Sequence, residues 1–226
     1  MVQPMPIRAK FYKVGMLQYI SHLDLVRTMT RTLTRAGIPA WYSQGFNPRL
    51  KMTFSLPLSI GTQSECEFFD IRLVEPMELS EIKRRINEGL TDEMQILDVY
   101  TSERKFSEIE WSEYEITMTS PRLDSGIADS LREIYTNPLV LTKRSKSGDK
   151  EVDITPFIDL REVAFADGSI KINALLSADS ANYLNPEYLI KGAQQKLGIE
   201  FEDPFREGYS IVRKCVYLGD KVTPFR

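Results

Sequence analysis

The stretch GMLQYISHLDLVRTMTRTLTRAG, residues 15–37, is the strongest helix signal in the chain. Ser21 is a typical N-cap, because its hydroxyl can accept a backbone N–H of the first turn, and Asp24 follows three residues later. Gly37 is typical of a helix end. A buried stripe about 100° wide is predicted for His22, Leu25, Val26, Met29, Leu33 and Ala36. The opposite face carries Arg27, Arg31 and Arg35, spaced four apart.

Segments typical of strands surround this helix and define the first half of the fold. The order is β-α-β-(excursion)-β-α-β, which is the ferredoxin-like pattern. The strands are predicted at 7–13, 38–43, 65–74 and 94–102, and a second amphipathic helix at 78–90 follows Pro76.

The second half repeats this order of elements after a polar, charged linker at 102–113. The sequence therefore predicts an α+β protein of two ferredoxin-like units, with antiparallel sheets and helices on one face, in domains 1–102 and 112–226. The predicted strands are 114–120, 139–145, 151–165, 169–177 and 209–218, with the tip SKSGDK at 145–150 and helices at 125–137 and 185–198.

Charge is distributed unevenly between the two predicted domains. Residues 1–51 hold eight basic residues against a single acidic one, Asp24, whereas the whole chain has a net charge of −3. Segregated charge of this kind indicates a basic end that faces a polyanion and an acidic end. The alternative is that the arginines form an ordinary solvated helix face.

The composition of the 226 residues is that of a globular protein, with 42% hydrophobic and 27% charged residues. No run approaches eighteen apolar residues, and the segment MVQPMPIRAKF lacks the apolar core of a secretion signal. The two cysteines, Cys66 and Cys215, indicate a reducing compartment, and two buried thiols are favoured over one disulfide. We expect a cytoplasmic protein that does not contact a membrane.

The loop SQGFNPR, residues 43–49, combines a flexible residue, a stiff one, an aromatic ring, an amide and a cation. If it follows the second strand, it lies over the start of the first helix, where free N–H groups and the helix dipole favour an anion. A phosphate, nucleotide or RNA strand suits this arrangement. The predicted ligand- or RNA-binding residues are Tyr19, His22, Arg27, Arg31, Arg35, Tyr42, Ser43, Gln44, Gly45, Phe46, Asn47, Arg49 and Lys51.

Each of these residues also has a structural explanation. Ser21 and Asp24 can form a simple capping box, and Gly45, Asn47 and Pro48 can simply build a turn. Under this interpretation the loop is a plug, with its aromatic ring buried and its cation held in an ion pair.

Motifs for catalysis are scarce. The sequence has no GxxxxGK[ST], no G-x-S-x-G, no histidine pair for a metal and no C-x-x-x-C-x-x-C. We therefore predict no metal, no cofactor and no catalytic residue. The alternative is a metal-independent RNA-processing enzyme with His22, the single histidine, as general acid or base near Arg49 or Lys51. Asp153 and Asp159 are a further, weaker candidate carboxylate pair.

Over residues 8–73 the sequence resembles the radical-SAM-linked protein family, a bacterial domain of unknown function. The positions that carry the resemblance are Lys13, Gly15, residues 19–24, the three helix arginines, 37–39, Tyr42, Ser43, 45–48, Lys51, Pro57, Leu58, Gly61, Glu67 and Asp70. KEVDITPFI at 150–158 extends the resemblance into the second half. Leu50 departs from the pattern, since the family usually has a second proline there.

The resemblance implies a partner more than a reaction. Members are encoded beside, or fused to, a B12-binding-type radical SAM enzyme, often near genes for ribosome components or RNases. This implies a non-catalytic accessory that binds RNA or presents a substrate, with a radical SAM enzyme and an RNA or ribosomal component as partners. A purely structural scaffold is the third interpretation.

Overall fold

The computed structural model describes residues 5–145 and 148–226. The chain divides into two compact units, one reaching to Phe106 and including Arg226, and one from Ser107 to Phe225. Residues 1–4 of the N-terminal segment, and Lys146 and Ser147 of the predicted tip at 145–150, lie outside the described residues.

From residue 5 onward, unit 1 contains four strands and two α-helices. Its antiparallel strands lie in the order β4-β1-β3-β2, and a 3-10 helix, Gly15–Tyr19, precedes α1. The elements are β1 (Met5–Lys13), α1 (His22–Arg35), β2 (Met52–Phe54), β3 (Thr62–Leu73), α2 (Leu79–Glu88) and β4 (Ile96–Tyr100).

The core of unit 1 lies between its helices and alternate residues of its strands. Successive strand side chains point to opposite faces, so one face of β1 and β3 is apolar and is buried against α1 and α2. The members include Ile7, Ala9, Phe11, Phe69, Ile71 and Leu73 from the strands and Met29, Leu33, Ile82 and Ile86 from the helices.

Helix α1 follows its sequence prediction closely. The Ser21 hydroxyl accepts the Asp24 backbone N–H at 3.1 Å, which confirms the N-cap. Leu25, Met29 and Leu33 are buried, and Arg27, Arg31 and Arg35 are exposed. His22 differs from the prediction, because it is exposed rather than part of the buried stripe.

Apart from residues 146 and 147, which are not described, unit 2 contains six strands and two α-helices. Its main antiparallel sheet has the order β10-β5-β9-β8, and β6 and β7 form a separate hairpin. The elements are β5 (Trp111–Thr119), α3 (Ser125–Thr136), β6 (Val140–Ser145), β7 (Gly148–Asp153), β8 (Ile158–Ala166), β9 (Ser169–Ser177), α4 (Glu187–Leu197) and β10 (Gly208–Tyr217).

Two predicted strands are wrong in their extent. The stretch 151–165 is divided into β7 and β8 by a 3-10 helix, Thr155–Phe157, because Pro156 has no N–H for a ladder. The stretch 38–43 forms only isolated bridges, and the hydrogen-bonded strand begins at Met52.

The protein is thus a mixed α and β structure with antiparallel strand pairing in each unit and four α-helices in the described residues. Over those same residues, none of the helices combines the length and apolar character that crossing a membrane requires. Cys66 and Cys215 are both free thiols; Cys66 is buried and Cys215 is half-buried.

Candidate functional site

The 43–49 loop is held at its base by backbone hydrogen bonds. Ser43 N–H donates to the Arg49 carbonyl at 2.8 Å, and Arg49 N–H donates to the Ser43 hydroxyl at 2.9 Å. One step further back, Tyr42 bridges Leu50 in an antiparallel pair. The base is therefore ordered before any ligand arrives, and an ordered loop loses less conformational entropy on binding.

The loop is an excursion from the edge of the unit 1 sheet. Ala40 pairs with Leu73 of β3, and Met52 pairs with Ile71 of the same strand. The chain thus begins to follow β3, leaves at Tyr42, returns at Leu50 and then continues along β3 as β2.

The predicted position of the loop over the start of α1 is wrong. The Tyr42 hydroxyl lies 3.1 Å from Thr34 Oγ1, in the last turn of α1. The start of α1 instead meets Phe54 at the far end of β2, where the His22 ring lies edge-on to the Phe54 ring at 5.4 Å. The prediction failed because it placed the loop after the second strand. In the structure the loop comes before the hydrogen-bonded strand β2.

The tip of the loop carries a fully exposed aromatic ring. Phe46 has a relative exposure of 107%, and Gly45 before it has a φ of +123°, a conformation that favours glycine. Arg49 is exposed, and within the described part of the chain it forms no ion pair. The interpretation of the loop as a buried plug is therefore wrong.

The arginine row of α1 runs toward the base of this loop. Thr34, which contacts Tyr42, is next to Arg35 and three residues from Arg31, so these side chains share the exposed side of the helix. Arg27, further from the loop, lies 3.2 Å from the Asp24 carboxylate. The structure thus brings Tyr42 and the loop base together with the C-terminal end of the arginine row.

Tyr19 and His22 belong to a different region, at the start of α1. His22 lines a small pocket together with Lys13, Ser21 and Glu67, and Tyr19 is exposed. Neither Arg49 nor Lys51 lines this pocket. The cations that the catalytic alternative required are therefore not beside His22.

Ser21 and Asp24 at the start of α1 are joined by two hydrogen bonds. The Ser21 hydroxyl donates to an Asp24 carboxylate oxygen at 2.7 Å, and this hydrogen bond, followed by the Arg27 interaction, lowers the pKa of Asp24. Asp24 is thus kept as an anion at the helix end, which disfavours a second anion at that site.

Lys51 lines a groove of about 630 Å³ on the face of the unit 1 sheet that points away from α1 and α2. We call this the sheet-face groove. The sequence analysis missed most of it, because its residues come from five separate segments of the chain. Its polar and aromatic lining includes Trp41, Lys51, Thr53, Arg72, Arg104 and Lys105.

One signal for this groove was present in the sequence. In EFFDIRL, residues 67–73, Asp70 and Arg72 alternate with the core residues Phe69, Ile71 and Leu73. The two charged side chains therefore point to the face away from the helices. Their position beside Trp41 and Lys51 depends on sheet pairing, which the sequence pattern did not specify.

The weaker carboxylate candidates are committed to separate partners. Asp153 accepts the backbone N–H groups of Leu139 and Thr155, whereas Asp159 lies within ion-pair distance of Arg161 and Lys221. Hydrogen bonds from Thr155, followed by that from Leu139, lower the pKa of Asp153. The two carboxylates do not form an acid–base pair.

The chain is thus an α and β protein of two units, and its first unit carries a loop with an exposed phenylalanine and an exposed arginine. The chain belongs to the DUF2344 family, described as uncharacterized protein conserved in bacteria, whose profile matches residues 6–186. No curated protein matches the sequence.

One solved structure that is similar to the chain is the crystal structure of an unknown protein from Galdieria sulphuraria. The two are 10% identical over 93% of this chain and 99% of that chain, with a TM-score of 0.26.

Proposed function

We propose that the protein is a non-catalytic, RNA-binding accessory, and that unit 1 contacts RNA through the 43–49 loop and the arginine row of α1. The observation that carries the proposal is the full exposure of Phe46 at the tip of a loop whose base is ordered. Exposed aromatic rings stack with unpaired bases whatever their sequence. Arg49, Arg31 and Arg35 supply charge for the phosphates.

The fold is consistent with this role. We assign both units to the ferredoxin-like class, which the strand orders β4-β1-β3-β2 and β10-β5-β9-β8 support. The class hosts many functions, so the proposal depends on the site and not on the fold.

A radical SAM enzyme is the proposed protein partner, by the family resemblance described above. In this proposal the accessory presents RNA or a ribosomal component to that enzyme in the cytoplasm. Binding and presentation need ordered contacts but no proton transfer, which agrees with the separation of His22 from Arg49 and Lys51.

The test is binding to structured and single-stranded RNA, measured by fluorescence anisotropy across a range of salt concentrations. Binding to phosphates releases counterions, so the logarithm of the binding constant falls as the logarithm of the salt concentration rises. The slope is roughly 0.7 to 0.9 per phosphate contact. Arg31→Ala with Arg35→Ala should lower the slope by roughly 1 to 2. Phe46→Ala with Arg49→Ala should weaken binding about tenfold or more through lost stacking.

Unit 2 offers a matched control for the loop variant. Phe205 is 96% exposed and is followed by the exposed Arg206, so Phe205→Ala with Arg206→Ala removes the same side-chain types elsewhere. This control should bind RNA like the wild type. Equal losses in both double variants would contradict the 43–49 loop as the RNA-binding site. No bound RNA and no enzyme recovered from the native cell would show that the protein is a scaffold instead.

A further inference from the structure

We propose that the sheet-face groove of unit 1 binds a nucleoside monophosphate unit, either as a free nucleotide or as one residue of an RNA strand. This site is separate from the 43–49 loop tip and the arginine row, and only its RNA source rests on the proposed function. The groove volume of about 630 Å³ is in the range of pockets for small ligands.

The groove attracts an anion. Lys51, Arg72, Arg104 and Lys105 all line it, and the acidic residue among its lining residues is Asp70. Asp70 is already neutralised, since the buried Arg8 donates to both carboxylate oxygens, at 2.7 Å and 2.9 Å. Basic residues therefore outnumber acidic ones in the lining of the groove, and the one carboxylate is already paired with Arg8.

The groove also offers a flat surface for an aromatic ligand. The Arg72 guanidinium lies over the Trp41 ring, 5.5 Å from its centroid, and both groups line the groove. Nucleobases stack on tryptophan rings and on arginine guanidinium planes. Thr53 is exposed on the adjoining strand and presents a hydroxyl that can donate or accept.

These features together favour a nucleotide over other anions. Inorganic phosphate fits the cations but leaves the surface formed by Trp41 and Arg72 unused. An acidic peptide likewise supplies carboxylates and no planar ring. A nucleoside monophosphate satisfies both requirements, with its base on the Trp41–Arg72 surface and its phosphate toward Lys51.

The groove carries its own spectroscopic probe. The chain has two tryptophans, so Trp111→Phe leaves Trp41 as the sole tryptophan. The titrants are adenosine monophosphate, uridine monophosphate, inorganic phosphate, a single-stranded RNA hexamer and a hexaglutamate peptide. The nucleotides should quench Trp41 fluorescence in a saturable way, whereas phosphate and the peptide should compete at least about tenfold more weakly.

Groove variants test which side chains bind the nucleotide. Arg72→Ala and Lys51→Ala should each raise the nucleotide Kd at least fivefold, measured by calorimetry on the otherwise wild-type chain. Arg206→Ala, on unit 2, should leave it unchanged. Circular dichroism and thermal unfolding check that each variant folds. If the Trp111→Phe variant does not fold, calorimetry on the wild-type chain replaces the fluorescence titration.

The outcomes separate this inference from the proposed function. Nucleotide binding that survives Phe46→Ala with Arg49→Ala supports the groove even if RNA binding is lost. Binding of the mononucleotides without the hexamer identifies a free nucleotide as the ligand and counts against the RNA-binding function. Nucleotide binding that is unchanged by Arg72→Ala, absence of nucleotide binding, or equal competition by hexaglutamate overturns the groove site.

Discussion

Each unit has an insertion between its first helix and the strand at the edge of its sheet. The two insertions differ in how much apolar surface they bury. In unit 2 the segment between α3 and β8 contains the hairpin β6–β7, and Leu139, Leu141 and Ile154 from this segment are at most 3% exposed. In unit 1 the segment between α1 and β2 contains the 43–49 loop, whose Phe46 is fully exposed.

This difference separates an insertion that contributes to a core from one that leaves its aromatic ring in water. Burying a large apolar side chain contributes about 1.5–3 kcal/mol to folding, and the unit 2 insertion gains this stabilisation. The unit 1 loop leaves its largest apolar group in water, so folding does not account for the presence of Phe46. In the proposed function, this exposed ring stacks with RNA bases.

The largest expected effect tests the buried side of this comparison. Leu139 is 1% exposed and packs against Gly192 of α4, where a Cβ atom would lie only 3.0 Å from Leu139 Cδ2. Leu139→Ala should lower the free energy of unfolding by about 2–5 kcal/mol, because it leaves a cavity in a close-packed region. Chemical denaturation measures this loss, and a change below 1 kcal/mol would show that the unit 2 insertion is not part of the core.

A smaller, pH-dependent effect tests how the same insertion is anchored. The hydrogen bonds from Thr155 and Leu139 lower the pKa of Asp153 below its ordinary value of 3.8. Because the folded-state pKa is lowered, the stability that this carboxylate contributes is present above pH 3.8 and is lost as the pH falls further. Asp153→Ala should cost about 1 kcal/mol at pH 7 and progressively less below pH 3.8.

The control for this anchor is Asp153→Asn, which keeps one acceptor oxygen but does not titrate. Thermal unfolding at pH 7 and pH 3 should show a smaller loss for the asparagine variant than for the alanine variant. An alanine variant whose destabilisation is the same at both pH values would contradict a role for the charged form of Asp153.

The smallest expected effect tests the exposed side. Phe46→Ala should change the free energy of unfolding by less than about 0.5 kcal/mol, since exposed side chains rarely affect stability. Phe69→Ala is the matched control, because the same side chain is fully buried there and its loss should cost about 3–5 kcal/mol. If thermal unfolding showed that Phe46→Ala lowers the free energy of unfolding as much as Phe69→Ala does, the loop would be part of the folded core, like the unit 2 insertion.

Much of the local structure was predictable because it depends on short-range periodicity. The Ser21 cap, the buried Leu25, Met29 and Leu33, and the exposed arginines all follow from helix geometry alone. The loop residues 43–49 were also identified from composition, as a cluster of turn-forming, aromatic and basic types.

The placement of the loop was not predictable in this way. Residues 38–43 have the composition of a strand, yet they form only isolated bridges. The regular hydrogen-bonded strand is Met52–Phe54. Both segments contact β3, the first through a single bridge at Leu73 and the second through a ladder at residues 69–71. Local propensity does not encode how the edge of β3 is divided between them.

The sequence by itself determined the helices, the alternation of buried and exposed strand residues, and the concentration of basic residues in the first 51 positions, because these depend on neighbours within a few residues. Only the tertiary structure decided that Tyr42, at the base of the loop, meets Thr34, and that His22 meets Phe54 instead. It also decided that Trp41, Lys51 and Arg72 line one groove. Both are consequences of strand pairing, in which hydrogen bonds join residues distant in the chain and fix which side chains share a face.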